Sequence, residues 1–190
     1  MVHPAFLYLP GRRLTLPELS AARLDGHVVE VGEGYIPADL IDGPEVRAAS
    51  LASIIPTLAA ACGPTAAWIH GAGDHPPMRH HVRRAVERRV RLPADRRVVV
   101  HDVCVPASDL VTIGGIAVTS AVRTMIELAT GSSRDPEMGN WARLLSAVLR
   151  PQTVEMALAR VRGSTRMPGS RQAEALLRTL RQERQDDVTR

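Results

Sequence analysis

Histidine and sulfur ligands gather in the middle of this 190-residue chain: His70, His75, His80 and His81, then His101, Asp102 and Cys104. Tetrahedral zinc needs three or four such donors converging, usually from short spacings such as C-x2-4-C or H-x3-5-H. Here the intervals cross a Gly/Pro loop, and His80 and His81 would face opposite sides of a strand. They read as surface and packing histidines, and no metal or cofactor is expected. A second concentration is cationic. Residues 75–97 hold eight arginines against Glu87 and Asp95, a net +6, whereas residues 1–74 hold four arginines against eight acids, a net −4. Such a patch can neutralise phosphates and give salt-sensitive, largely sequence-blind affinity. The same charges would also guard a solvated strand edge or dock an acidic protein surface, and all three readings stay open.

Arg123, near a helix start, invites a phosphate-binding reading as well. The preferred one is structural: Glu127 lies one turn on, and Asp102 or Asp109 would let Arg123 pin a hairpin to the helix. The chain carries no G-x-S-x-G, H-E-x-x-H, C-x-x-C, G-x-x-x-x-G-K-[ST] or G-x-G-x-x-G. Serine, histidine and aspartate occur without a spacing that groups them, so no enzyme activity is expected.

Composition narrows the classes further. Hydrophobic residues make up 45% and charged ones 23%, the balance of a globular chain of one domain, with or without a small appendage. All 24 basic residues are arginine and none is lysine. Five aromatic residues (Phe6, Tyr8, Tyr35, Trp68, Trp141) are too few for a base-stacking platform, and both tryptophans sit on apolar faces as core anchors. Cys62 and Cys104 form no disulfide framework and read as reduced core residues. No run spans a bilayer and no charged-then-apolar leader opens the chain, which points to the cytoplasm.

The elements that would position these groups centre on residues 110–129. Two β-branched runs, Leu110–Ile113 and Ile116–Val118, flank the hairpin pair Gly114-Gly115. Thr119 or Ser120 then caps a helix with Val122, Met125, Ile126 and Ala129 on one face. Upstream, Leu14–Leu24 reads as a helix with Thr15 and Glu18 as its capping box, and His27–Pro37 as a hairpin turning at Gly32-Glu33-Gly34. Glu45–Ile55 reads as a helix broken at Pro56, with a second helix through Ala61, and Thr65–His70 as a short helix. Met78–Val86 fits a strand with one charged face or a helix. Leu92-Pro93 reads as a turn and Val98–Val105 as a strand. The remainder is helical over Asp135–Leu149, Thr153–Arg162 and Arg171–Arg181. The predicted fold class is α/β, more strictly α+β: a small mixed sheet flanked by helices with a C-terminal helical region.

Several stretches together resemble the actinobacterial AbiEi-type antitoxin family of type IV toxin–antitoxin systems. They are RLDGHVVEVGEGYIPAD (Arg23–Asp39), GPEVRAASL (Gly43–Leu51), TAAWIHGA (Thr65–Ala72), GGIAVTSAVRTMIELA (Gly114–Ala129) and MPGSRQAEALL (Met167–Leu177). The resemblance covers about residues 11–180. It implies a reduced winged-helix element over 11–38, an α/β antitoxin domain with C-terminal helices over 44–183, and a frayed tail over 184–190. Two departures stand out: the early helices of the usual winged helix are missing, and the wing carries Glu30 and Glu33. The implied function is a non-enzymatic transcriptional regulator that binds DNA near its own promoter, opposes a nucleotidyltransferase-like toxin, or both. The alternative is a protein-interaction module with a decayed winged helix. If double-stranded DNA is the partner, the candidates are Arg12, Arg13, Arg23 and His27 near the winged element. Arg79, Arg83, Arg84, Arg88 and Arg89 would add a phosphate-contacting surface.

Overall fold

Thr15 and Glu18 start the first helix, α1 (Leu16–Leu24), as a reciprocal pair. The Glu18 carboxylate accepts from the Thr15 N–H at 2.7 Å, and the Thr15 hydroxyl oxygen accepts from the Glu18 N–H at 3.4 Å. Two otherwise unpaired amides of the first turn are thereby satisfied. The chain then enters an antiparallel hairpin, β1 (Val28–Val31) and β2 (Gly34–Pro37), closed by the two residues Gly32-Glu33. Gly32 has φ +55°, and a Cβ there would run into the Ser50 side chain. The hairpin has two faces. Val28 and Tyr35 join Leu19 in a small cluster beneath α1, whereas Val31 and Ile36 point the other way into the main core. Tyr8 extends this sheet by one bridge, exchanging backbone hydrogen bonds of 2.8 and 2.9 Å with Tyr35.

The computed structural model describes residues 6–88, 95–164 and 168–188. The next helix, α2 (Pro44–Ser50), is shorter than the expected Glu45–Ile55 and gives way to turns. Buried Arg47 ties it to the rest, bonding the Asp42 carboxylate at 2.6 Å and the Trp68 and Gly73 carbonyls at 2.9 and 2.8 Å.

Where a second helix was expected through Ala61, the structure has β3 (Ala59–Ala61), the middle strand of a five-stranded sheet. Alanine is the best helix former, but these three are fully enclosed. Their backbone groups pair with strands on both sides, which overrides a local preference worth only tenths of a kcal/mol per residue. The sheet order is β5-β4-β3-β7-β6, with β4 (His80–Arg84), β5 (Val98–His101), β6 (Leu110–Ile113) and β7 (Ile116–Thr119). β3 runs antiparallel to β4 and parallel to β7, β4 and β5 are parallel, and β6–β7 is the expected hairpin. The ambiguous segment 78–86 is therefore a strand, and β5 stops short of Val105. Gly114 and Gly115 turn the β6–β7 hairpin at φ +56° and +83°. The Gly114 N–H donates to the Glu45 carboxylate at 2.6 Å, and a side chain at 114 would strike the α2 backbone.

Helix α3 (Gly63–Ile69) crosses close to β4 and carries the fully buried Trp68. Ser120 caps α4 (Ala121–Gly131), its hydroxyl oxygen accepting from the Arg123 N–H at 3.3 Å. Thr119 instead pairs with the Thr124 hydroxyl at 2.7 Å. α4 packs against α3 and against α5 (Pro136–Val148), α6 (Pro151–Arg162) and α7 (Ser170–Val188). It is consequently buried beyond the expected stripe, at Thr124, Glu127 and Leu128 as well. Trp141 on α5 is buried too, as its apolar face led one to expect. α7 continues past the expected end at Arg181 to Val188. Among the described residues no helix is long and apolar enough to cross a membrane.

Candidate nucleic-acid interface

Arg12 and Arg13 stand exposed in the turn that leads into α1, closed by a 2.9 Å bond from the Gly11 N–H to the Leu14 carbonyl. Pro10 and Leu16 on either side line a groove with Glu30 and Glu33, which sets these arginines beside the β1–β2 turn. Arg23 is exposed on the last turn of α1, 3.6 Å from Glu30, and His27 is exposed at the start of the hairpin. Arg79 is exposed ahead of β4, its guanidinium donating to the Val98 carbonyl at 3.3 Å. Arg88 is exposed beyond the far end of the same strand. Arg89 and the expected Leu92-Pro93 turn lie outside the described residues.

Arg83 and Arg84 depart from the expected open face. Strand alternation turns Arg83 toward α4, where its Nε lies 2.8 Å from Glu127 Oε1 with its side chain 18% exposed. The approach is ionic, because the N–H does not align with the acceptor. Arg84 points to the opposite face, 13% exposed, 4.0 Å from the fully open Asp102 carboxylate. Side chains on both faces of β4 are largely enclosed, so its arginines are drawn inward and the cationic run does not form one surface.

The structure nevertheless joins two regions that the sequence keeps far apart. Arg97 donates to the Glu33 carboxylate at 3.0 Å and approaches Asp95 at 3.3 Å. The start of β5 thus abuts the β1–β2 turn. Its backbone N–H, and then its guanidinium, hold the Asp95 carboxyl below the usual range. Glu30 in turn accepts from the Tyr35 hydroxyl at 3.3 Å and lies near Arg23. Both acids of the hairpin, Glu30 on β1 and Glu33 in the turn, have a cationic neighbour, which offsets the repulsion they would offer to phosphate.

Behind this surface runs an ion network of a different kind. Glu127, 8% exposed, faces Arg83, accepts from Arg123 Nε at 2.9 Å and accepts from the Gly63 N–H at 3.2 Å. Arg123 continues to Asp109 at 3.5 Å, and Arg160 on α6 forks onto both oxygens of Asp109 at 2.8 and 3.1 Å. The structural reading of Arg123 thus holds with Glu127 and Asp109 as partners, while Asp102 stands away. Asp109 enters through a 3-10 turn (Ala107–Asp109) just before β6, so the network clamps the β6–β7 hairpin to α4 and α6. Arg160 gave no signal in the sequence because its partner lies 51 residues away.

Apart from one pair, the histidines separate in space. His75 is exposed, His80 is buried, and the His70 ring bonds the Thr119 carbonyl at 2.8 Å. His81 and His101 meet across β4 and β5 at 3.1 Å. Cys62 is buried and Cys104 half-buried, both as free thiols, and burial pushes the Cys62 thiol well up. Among the described residues no three histidine, cysteine or acidic side chains converge as a metal site.

A family model for the AbiEi antitoxin C-terminal domain matches residues 59–179. The chain belongs to the AbiEi antitoxin family. The match opens at the first residue of β3 and closes within α7, so this antitoxin domain is the five-stranded sheet with its helices. The whole ion network lies inside it, whereas Arg12, Arg13, Arg23 and His27 precede the antitoxin match. No curated protein matches this antitoxin in sequence.

Proposed function

We propose that this antitoxin is a non-enzymatic transcriptional regulator that binds DNA near its own promoter and opposes a nucleotidyltransferase-like toxin. The observation that carries the DNA contact is the Arg97–Glu33 pair. It brings the β1–β2 turn, with Arg12 and Arg13 beside it and Arg23 near Glu30, against the edge that bears Arg79. Exposed guanidiniums of this kind fork onto phosphate oxygens, and each neutralised phosphate releases condensed counterions. α1 exposes Leu16, Pro17, Glu18, Ala21, Arg23 and Leu24; Arg23 is the one cation among them, and it lies 3.6 Å from Glu30. The contact is therefore chiefly with the backbone.

Duplex DNA from the region upstream of the coding sequence tests this in a gel-shift titration. Arg12→Glu combined with Arg13→Glu is expected to weaken binding at least about tenfold and to flatten the salt dependence by about two in slope. Arg88→Glu, at the far end of β4, should cost less. Absence of any shift at low salt would overturn the DNA reading. A second reading, a protein-interaction module without DNA binding, is favoured by the inward turn of Arg83 and Arg84 and by the acids at Glu30 and Glu33. It predicts no shift, together with co-purification of the neighbouring toxin.

A further inference from the structure

A cavity of about 280 Å³ opens between β4, β5 and the junction of α4 with α5. Four side chains with nitrogen donors line it from three elements: His81 and Arg83 on β4, His101 on β5, and Arg134 in the turn ahead of α5. Two carboxylates line it as well, Glu127 engaged through both oxygens and Asp135 through one. Glu127 is held by Arg83, Arg123 and the Gly63 N–H. Asp135 caps α5 by accepting from the Glu137 N–H at 3.0 Å. The donors are not used up in the same way. Arg83 Nε is buried and committed to Glu127 at 2.8 Å, so Arg83 serves the cavity only through its terminal nitrogens. The Arg134 guanidinium is exposed at the rim and makes no hydrogen bond or ion pair among the described residues. His81 and His101 share one hydrogen bond, which in the neutral pair leaves one outer ring nitrogen as a donor and the other as an acceptor.

Open donors beside engaged acceptors call for a ligand rich in acceptor oxygens. We propose that this cavity binds a small phosphorylated ligand, with Arg83 and Arg134 gripping its phosphoryl oxygens and the His81–His101 pair closing a third side. A planar carboxylate is satisfied by one arginine fork, whereas donors arriving from three directions suit a tetrahedral group. The volume lies just below the range of ligand sites, which run from about 300 to 1,000 Å³. It suits a mononucleotide-sized molecule and is too small for a polymer. The site is separate from the proposed DNA surface and does not depend on it.

Titration of the full chain with inorganic phosphate, adenosine 5′-monophosphate and uncharged adenosine tests the assignment, read by calorimetry and by the ring signals of His81 and His101 in NMR. Phosphate and the monophosphate should bind saturably and move both ring signals, and adenosine should not bind. Arg134→Gln, at an exposed position that leaves the core intact, should weaken both anions about tenfold or more. Arg83→Gln disturbs Glu127 and is the less clean variant. Three results would overturn the proposal: neither anion binding in the millimolar range, Arg134→Gln binding as tightly as the parent, or adenosine binding as well as its monophosphate. Displacement of the monophosphate by duplex DNA would assign the cavity to nucleic acid and overturn it too.

Discussion

Leu19, Val28 and Tyr35 form the small core beneath α1, while the antitoxin domain closes over a continuous core that starts at Val31 and Ile36 of the hairpin and runs through α2 and the sheet to α7. The polar contacts differ in kind as well. In the N-terminal element they are short-range and exposed, such as the Thr15–Glu18 box. In the antitoxin domain they are buried and cross the chain, such as Glu127 with the Gly63 N–H and Asp109 with Arg160. Surface pairs contribute little, whereas removing one member of a buried set strands the others. The two regions should therefore answer very differently to single substitutions. The hairpin links them, because Val31 and Ile36 belong to the larger core.

The largest effect is expected from Glu127→Ala, which leaves Arg83, Arg123 and the Gly63 N–H without their shared acceptor. Urea unfolding followed by tryptophan fluorescence should show a loss of about 3–5 kcal/mol, since Trp68 and Trp141 both report on the antitoxin domain. A loss under about 1 kcal/mol would mean that water replaces the carboxylate and that the buried network is not what holds this region.

Leu19→Ala probes the other side of the comparison. It should destabilise the N-terminal element by about 2–3 kcal/mol, seen as faster amide exchange in α1, β1 and β2, while the tryptophan-detected midpoint moves far less. Equal shifts by both probes would show one cooperative unit and erase the distinction.

A smaller response is expected to acid, and it should come from the antitoxin domain. Burial first, and the neighbouring His101 second, hold His81 down to about 4, and burial lowers His70, His80 and His101. An unfolded imidazole titrates near 6.5, so the unfolded chain takes up protons first. The stability tied to these rings is complete above that value and is lost as pH falls from about 6.5 to about 4. The tryptophan-detected urea midpoint should drop over this window, and His81→Gln should blunt the drop. The smallest effect is Thr15→Ala, about 1 kcal/mol, confined to exchange at the first turn of α1.

The same contrast explains how far the sequence can be read. α1 and its box, the 28–37 hairpin, the Gly114-Gly115 turn, Ser120 as a cap and the stripe of α4 were all legible, because each rests on residues within a turn or two of one another. The strand Ala59–Ala61 was not, since its local preference is helical and only neighbours at 82–84 and 117–118 make it a strand. The candidate interface divides in the same way. Arg12, Arg13, Arg23, His27, Arg79 and Arg88 are exposed as expected, but nothing local reveals that Arg83 turns toward Glu127 or that Arg97 reaches Glu33.

By itself, the sequence determined the α/β class and the list of charged side chains, because periodicity, caps and turn glycines act over a few residues; the family entered through the resemblance of whole stretches. Tertiary structure alone decided which arginines stay in water and which are spent on buried carboxylates. That choice depends on which faces of β4 are covered, and the covering helices lie tens of residues away.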